Sequence, residues 1–200
     1  METRKNIEYI HHGMVQWIYY LQLYKFMSTT DITYGIPAEV WPRDYSSIEF
    51  SLQFMRAKEI PVRVTTDDSQ TFCLYVNGLL TARNKLDLSP VVGSKEHRVR
   101  LPLERVSTIE TVTTNEVDKT FTGRLTISNE EESHLPSRRD FFKICRQAHH
   151  EQKSIRVYMA DGREIDGTTL GVDACQVTIR IGKHRRMIIL FDWVERILPI

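Results

Sequence analysis

The sequence predicts a mainly β protein with short helices, built as two small five-stranded bent barrels in tandem, each preceded by a helix. Three observations predict it. Apolar runs of strand length recur along the chain, bounded by Gly, Pro and Asp-Gly turn signals. Two stretches carry helical spacing instead, and each stands just before a set of such runs. The order of these signals then repeats. Arg43-Asp44-Tyr45 opens the first helical stretch and Arg139-Asp140-Phe141 opens the second. The strand beginning at Ile60 answers the one beginning at Ile155, and the run from Leu103 to Ile109 answers the run from Phe191 to Ile197. The first copy carries an insertion around Ser89–Lys95.

Four segments follow: an N-terminal helical and aromatic extension (residues 1–42), a divergent first copy (43–128), a linker (129–136) and the second copy (137–200). In the extension, Met14–Phe26 is apolar but contains Gln16, Gln22 and Lys25. It is too short to span a bilayer and lacks a basic face, so packing is expected and membrane contact is not. In the first copy the helix is expected over Asp44–Lys58, with Ile48, Leu52 and Met55 at helical spacing and Pro61 ending it. Strands are expected from Val62, over Thr71–Val76, Leu79–Leu88 and Arg98–Pro102, and around Val106–Val112. Thr120–Ser128 alternates weakly and reads as an extra strand. The polar run Asn129–Pro136 reads as the linker.

In the second copy Ser137 is placed to cap a helix over Arg138–Glu151, whose apolar side is Phe141, Phe142, Cys145 and Ala148. Strands follow at Ser154–Ala160, Arg163–Leu170, Gln176–Ile181, Arg186–Phe191 and Val194–Leu198. Asp161-Gly162 marks the first tight turn. Gly167 and Gly171 sit inside a strand, where a missing side chain permits close approach or bending.

Composition narrows the function. The chain has 200 residues, 26% of them charged, with a net charge of +1. A globally basic nucleic-acid binder is excluded, but a local basic patch is not. Twelve Lys and Arg stand against eight Asp and Glu from Ser137 onward, and fifteen against eighteen before it. The second copy is therefore the basic one. Cys73, Cys145 and Cys175 form no metal-site spacing, and free thiols suit a reducing cytoplasm. His11-His12 and His149-His150 are adjacent pairs whose members point to different helix faces. No phosphate-binding glycine loop or nucleophile elbow is present. No enzyme activity, metal or cofactor is expected.

The run Ile155-Arg-Val-Tyr-Met-Ala-Asp-Gly-Arg-Glu-Ile-Asp-Gly-Thr-Thr-Leu-Gly-Val-Asp173 resembles the Sm-like superfamily, in particular its Hfq-like branch. Ile165, Gly167 and Asp173 match the spacing of that motif, and Ile188–Pro199 is similar to its short C-terminal motif. The resemblance covers about sixty residues. It implies an RNA-binding post-transcriptional regulator or chaperone that forms homo-oligomers through barrel edge strands, with arginines of the helix forming a lateral RNA-binding rim. It departs from the family where the Tyr-Lys-His element is replaced by Phe191-Asp192-Trp193.

Two basic clusters are the candidate surface for single-stranded RNA. Arg138, Arg139, Lys143, Arg146, Lys153 and Arg156 crowd the second helix and its first strand. Lys183, His184, Arg185 and Arg186 crowd a loop. Arginine and lysine attract phosphate, and a helix N-terminus beneath Arg138 and Arg139 would add to that attraction. Tyr158 is the nearest stacking candidate, followed by Trp193. A weaker patch is expected from Arg63, Arg98 and Arg100. The alternative reading is a non-catalytic protein-interaction or scaffold module that has lost RNA binding.

Overall fold

Period-two alternation puts Ile155, Val157 and Met159 on the buried face of their strand and leaves Arg156 and Tyr158 half-exposed on the other. This pattern, repeated along the chain, produces a sheet with one deeply buried face. The computed structural model describes residues 31–80, 84–129 and 134–200. The expected helix at Met14–Phe26 lies outside the described residues, as does half of the linker, residues 130–133.

The first repeat begins with helix α1 (Ser46–Ala57). Ile48, Leu52 and Met55 form its buried stripe. Asp44 Oδ1 accepts the N–H of Ser46 at 2.9 Å at its start. At its end the N–H of Ile60 reaches the carbonyl of Met55 at 2.9 Å while Glu59 turns left-handed, with φ 51°. That is the six-to-one closure of a helix C-terminus, with glutamate where glycine is usual. Strands β2 (Pro61–Thr66), β3 (Thr71–Leu80), β4 (Lys85–Ser89) and β5 (Arg98–Pro102) follow. A 3₁₀ turn (Leu103–Arg105) then leads into β6 (Val106–Thr111).

The second repeat has the same order: helix α2 (Phe142–His150), β9 (Ser154–Met159), β10 (Glu164–Val172), β11 (Gln176–Ile181), β12 (Arg185–Leu190), a 3₁₀ turn (Phe191–Trp193) and β13 (Val194–Pro199). Its helix ends like the first, with Gln152 at φ 55° and Lys153 N–H on the Ala148 carbonyl at 2.9 Å. Outside the repeats, β1 (Ile36–Pro37) pairs with β8 (Arg139–Asp140), and β7 (Arg124–Thr126) lies parallel to β5.

The sheet order is β13-β9-β10-β11-β12-β6-β2-β3-β4-β5-β7. Each repeat therefore arranges its strands identically, with the last strand beside the first. The expected closed barrels do not form. The reason lies at the seam, where β12 hydrogen-bonds to β6 of the other repeat, pairing Ile188 with Ile109, and not to its own β13. The two repeats share one open sheet, and among the described residues no ladder joins its ends. Among the described residues the fold is mainly β with two α-helices, as expected.

Three local expectations are corrected. Helix α2 starts at Phe142, not Arg138, because Arg138 is left-handed (φ 49°) and Arg139-Asp140 is drawn into the ladder with Ile36-Pro37. Ser137 does not cap it: its hydroxyl donates to the Phe191 carbonyl at 2.7 Å. Leu79–Leu88 is two strands, β3 and β4, paired antiparallel as a hairpin.

Gly167 is where the sheet needs a missing side chain. A Cβ there would lie 2.8 Å from Ile179 Cδ1 and 2.9 Å from the Arg180 carbonyl oxygen. The strand breaks register between Thr169 and Gly171, which bends β10 over α2.

Candidate nucleic-acid interface

The structure disperses the first predicted cluster. Arg138 is exposed with its guanidinium 5.2 Å from the Trp41 ring centre. Arg139 donates to the carbonyls of Tyr34 and Gly35, each at 3.3 Å. Neither stands on a helix N-terminus. Lys153 pairs with Glu151 at 2.7 Å, and Arg156 with Asp166 at 2.8 Å. Tyr158 is half-buried on β9, opposite Glu164 of β10. Lys143 and Arg146 remain exposed on α2 without an ion pair among the described residues. Trp193 is buried, as are Phe191 and Asp192. The weaker patch is neutralised: Arg98 and Arg100 both face Asp87, at 3.7 and 2.7 Å.

The second cluster is split by the strand it belongs to. Arg185 and Arg186 are the first residues of β12, so their side chains leave opposite faces of the sheet. Arg185 joins Arg63 in a four-membered ion network with Glu110 and Glu116. Arg63 lies 2.6 and 2.7 Å from the two carboxylates, and Arg185 lies 3.2 Å from each. Glu110 and Arg63 come from the first repeat and Arg185 from the second, so this network fastens the seam. It consumes Arg185 as an anion site. The hydrogen bonds from the Thr113 backbone N–H and hydroxyl, followed by that from Arg63 and the charge of Arg185, hold the Glu116 carboxyl below its usual range.

Arg186 goes to the other face and lines a groove of about 440 Å³. One wall is the flank of α1, with Phe50, Ser51, Phe54 and Met55. The other is the second repeat, with Thr178, His184, Arg186 and Ile188, above a floor of Thr111 and Val112. Phe50 is 75% exposed and Phe54 54%, so two large aromatics one helical turn apart stand unburied at its rim. Arg180 pairs directly with Arg186 across β11 and β12 and shares its face. Both are exposed, and neither has a carboxylate within salt-bridge distance among the described residues. Like charges directly opposite on neighbouring strands repel. A bound anion relieves that repulsion.

The groove continues past Phe50, Ser51 and Thr178 into a second compartment of about 460 Å³, bordered by Ser47, Gly171, Val172, Asp173 and Gln176. Of the residues lining this site, the sequence singles out only His184 and Arg186 as functional. Phe50 and Phe54 carried a signal: they lie four apart, off the apolar stripe of Ile48, Leu52 and Met55. Arg180 carried none, because its opposition to Arg186 exists only in the ladder.

Among the described residues no group of three or more His, Cys, Asp or Glu could hold a metal ion, and no helix is long and apolar enough to cross a membrane.

A family model described as repressor of phase-1 flagellin matches residues 31–197. The repressor of phase 1 flagellin gene of Salmonella abony is 35% identical over 173 residues, covering 86% of this chain and 94% of that protein. The proteins of the same name from Salmonella typhimurium and Salmonella abortus-equi are each 34% identical over the same spans. These matches correct the resemblance to the Sm-like and Hfq-like proteins, which no match supports. The motif behind that resemblance was a strand, a tight turn and a strand glycine. Any sharply bent antiparallel sheet makes those demands, so the motif reports local geometry and not ancestry.

Proposed function

The chain belongs to the family of repressors of phase-1 flagellin, and from that premise we propose that it is a regulator of gene expression that acts without catalysis, by binding single-stranded RNA in the groove between α1 and the second repeat. The observation that carries this reading is the meeting of exposed Phe50 and Phe54 with the uncompensated pair Arg180 and Arg186.

The chemistry favours a single strand. A duplex keeps its bases stacked on each other and offers an aromatic side chain no free base face. An unpaired strand offers both base faces for stacking and phosphates for arginine. His184 lines the groove, and the exposed Lys183 precedes it in the same turn. Lys143 and Arg146 offer a second point of backbone contact on α2. Arg138, Arg139, Lys153, Arg156 and Tyr158 are left as flanking residues: Arg139, Lys153 and Arg156 already hold protein partners, and Arg138 lies against the Trp41 ring.

Fluorescence anisotropy with labelled single-stranded RNA, duplex RNA and duplex DNA tests this. The expected result is salt-sensitive binding of the single strand. Phe50→Ala should cost about 1–3 kcal/mol of binding. Arg186→Ala should weaken binding and lower the salt slope by about one. Binding confined to duplex DNA, or no binding by folded protein at low salt, would overturn the reading. The second result would favour a protein partner for the exposed Phe50 and Phe54.

A further inference from the structure

We propose that β7 is an edge cap: it covers the strand edge through which a second copy of this chain would join, β5 of one chain to β13 of the next, in the register that joins the two repeats within one chain. The seam between the repeats is the template. There β12 of the second repeat pairs antiparallel with β6 of the first, Met187 with Glu110, Ile188 with Ile109 and Ile189 with Thr108. The run from Leu103 to Ile109 matches the run from Phe191 to Ile197 without a gap, so β5 is the counterpart of β12, and β13 is the counterpart of β6. These two counterparts lie toward opposite ends of the sheet. Among the described residues β13 forms a ladder with β9 alone, and no strand lies on its outer edge. Carried over to β5 and β13, the seam register sets Val99 opposite Leu198 and Arg100 opposite Ile197.

On β5 that edge is occupied by β7. This strand comes from the segment between the repeats and has no counterpart inside either. It pairs with Arg98, Val99 and Arg100, the counterparts of Arg186, Met187 and Ile188, on the edge of β5 that faces away from β4. The segment is anchored at both ends. Arg98 N–H donates to the Gly123 carbonyl at 3.0 Å, Gly123 N–H to His97 Nδ1 at 2.9 Å, and Ile127 N–H to the Arg100 carbonyl at 2.9 Å. Ile127 is buried, and the Ser128 carbonyl accepts Nη1 of the buried Arg105 at 2.7 Å. Between these anchors Arg124, Leu125 and Thr126 are all exposed. Their side chains add little to the core, so what the strand supplies is backbone pairing for β5.

An unpaired strand edge is a template for another chain, and proteins blunt it with a very short strand or a covering segment. β7 is both. The join it prevents is heterologous, one edge of the sheet meeting the opposite edge of the next copy. Such a contact is not satisfied by two copies and goes on adding chains into a ring or a filament. The edge-strand association expected from the sequence is therefore held in check, and release of β7 from β5 permits it. The groove between α1 and the second repeat takes no part, so this inference stands or falls independently of the RNA reading.

Sedimentation velocity on the full chain tests it, comparing wild type with Leu125→Pro/Ile127→Ser. Gly123 and Ile127 both bond to β5, so alternation turns the N–H of Leu125 to β5 as well, and proline removes that donor. Wild type should run as a monomer. The uncapped variant should keep its circular dichroism and associate, its average mass roughly doubling or more as concentration rises. Leu125→Pro alone, at an exposed position, takes its place if the double change does not fold. Disulfide trapping in a Cys73→Ser background separates this join from aggregation. Uncapped chains carrying Val99→Cys, mixed with uncapped chains carrying Leu198→Cys, should cross-link, and neither should cross-link alone, because unlike edges meet. The same mixture with β7 intact should stay uncross-linked. A folded uncapped variant that remains monomeric, a wild type that associates as strongly as the variant, or association without this cross-link overturns the proposal. A cross-link in the chains with β7 intact overturns it without recourse to any uncapped variant.

Discussion

Arg43 donates its Nε–H to Asp192 Oδ1 at 2.9 Å across 149 positions of sequence, and both side chains are almost wholly buried. Arg43 lies at the entry to α1 in the first repeat, and Asp192 lies in the 3₁₀ turn of the second. Tyr45 donates its hydroxyl to the other Asp192 oxygen at 2.8 Å, and Arg43 also reaches the carbonyls of Ala174 and Arg139. Burial, and then Asp192 itself, push the Tyr45 hydroxyl well above its usual range. Removing one partner leaves the other buried and unpaired. Arg43→Ala or Asp192→Ala should therefore destabilise the fold by about 3–5 kcal/mol. The double variant should cost clearly less than the sum. Urea unfolding of the three variants checks both statements.

Glu59 and Gln152 hold left-handed backbone at equivalent places, one residue beyond each helix cap. A Cβ makes that conformation costly, and glycine removes the cost. Glu59→Gly and Gln152→Gly should each raise stability by about 0.5–1 kcal/mol, read as a higher thermal midpoint. The two positions lie in different repeats and share no hydrogen-bond partner among the described residues, so their effects should add. A lowered midpoint for both would mean that these helices do not end as described.

Arg185 and Arg186 are neighbours with separable roles. Arg185→Ala breaks the network with Glu110 and Glu116, and Glu110 is buried. It should lower stability while leaving RNA affinity within about two-fold, because its side chain is on the face away from the groove. Arg186→Ala should do the reverse. Parallel anisotropy and thermal melts on the two single variants decide it, and equal loss of affinity in both would refute the face assignment.

The thiols give a pH dependence with a defined sign. Burial, with Asp140 nearby, pushes the Cys145 thiol up to about 12. Burial likewise pushes Cys175 up to about 11, despite its hydrogen bond to Ser47. A thiol whose folded pKa lies above its unfolded value of 9.0 favours the folded state below that pH. That contribution is lost as pH rises from 9 toward 12. Stability should fall across this window, and Cys145→Ala/Cys175→Ala should flatten the fall. At pH 8, native protein should react with a thiol reagent at Cys73 alone, and at all three cysteines once unfolded.

Strand runs, turn residues and the stripe of α1 were legible in the sequence because each depends on neighbours a few positions apart; on α2 the stripe is Ile144, Cys145 and Ala148, and Phe142 is only half-buried. Ile48, Leu52 and Met55 announce the buried face of α1. Asp161-Gly162 announces a turn. The paired order of signals announces two copies of one arrangement.

Tertiary structure decided what the charges do. Arg138 and Arg139 read as a helix start, yet pairing with Ile36-Pro37 draws Arg139-Asp140 into a strand and leaves Arg138 left-handed, because a backbone ladder with a distant segment outweighs a local capping preference. Arg185 and Arg186 read as one cluster, yet the sheet sends them to opposite faces, one to a pair of carboxylates and one to a groove. The groove is formed by placing α1 of one repeat beside β11 and β12 of the other. The sequence by itself determined which segments are strands and helices, since that is a matter of local spacing. Only the fold determined which arginines stay uncompensated and which strand edge β7 covers, since long-range pairing sets which groups meet.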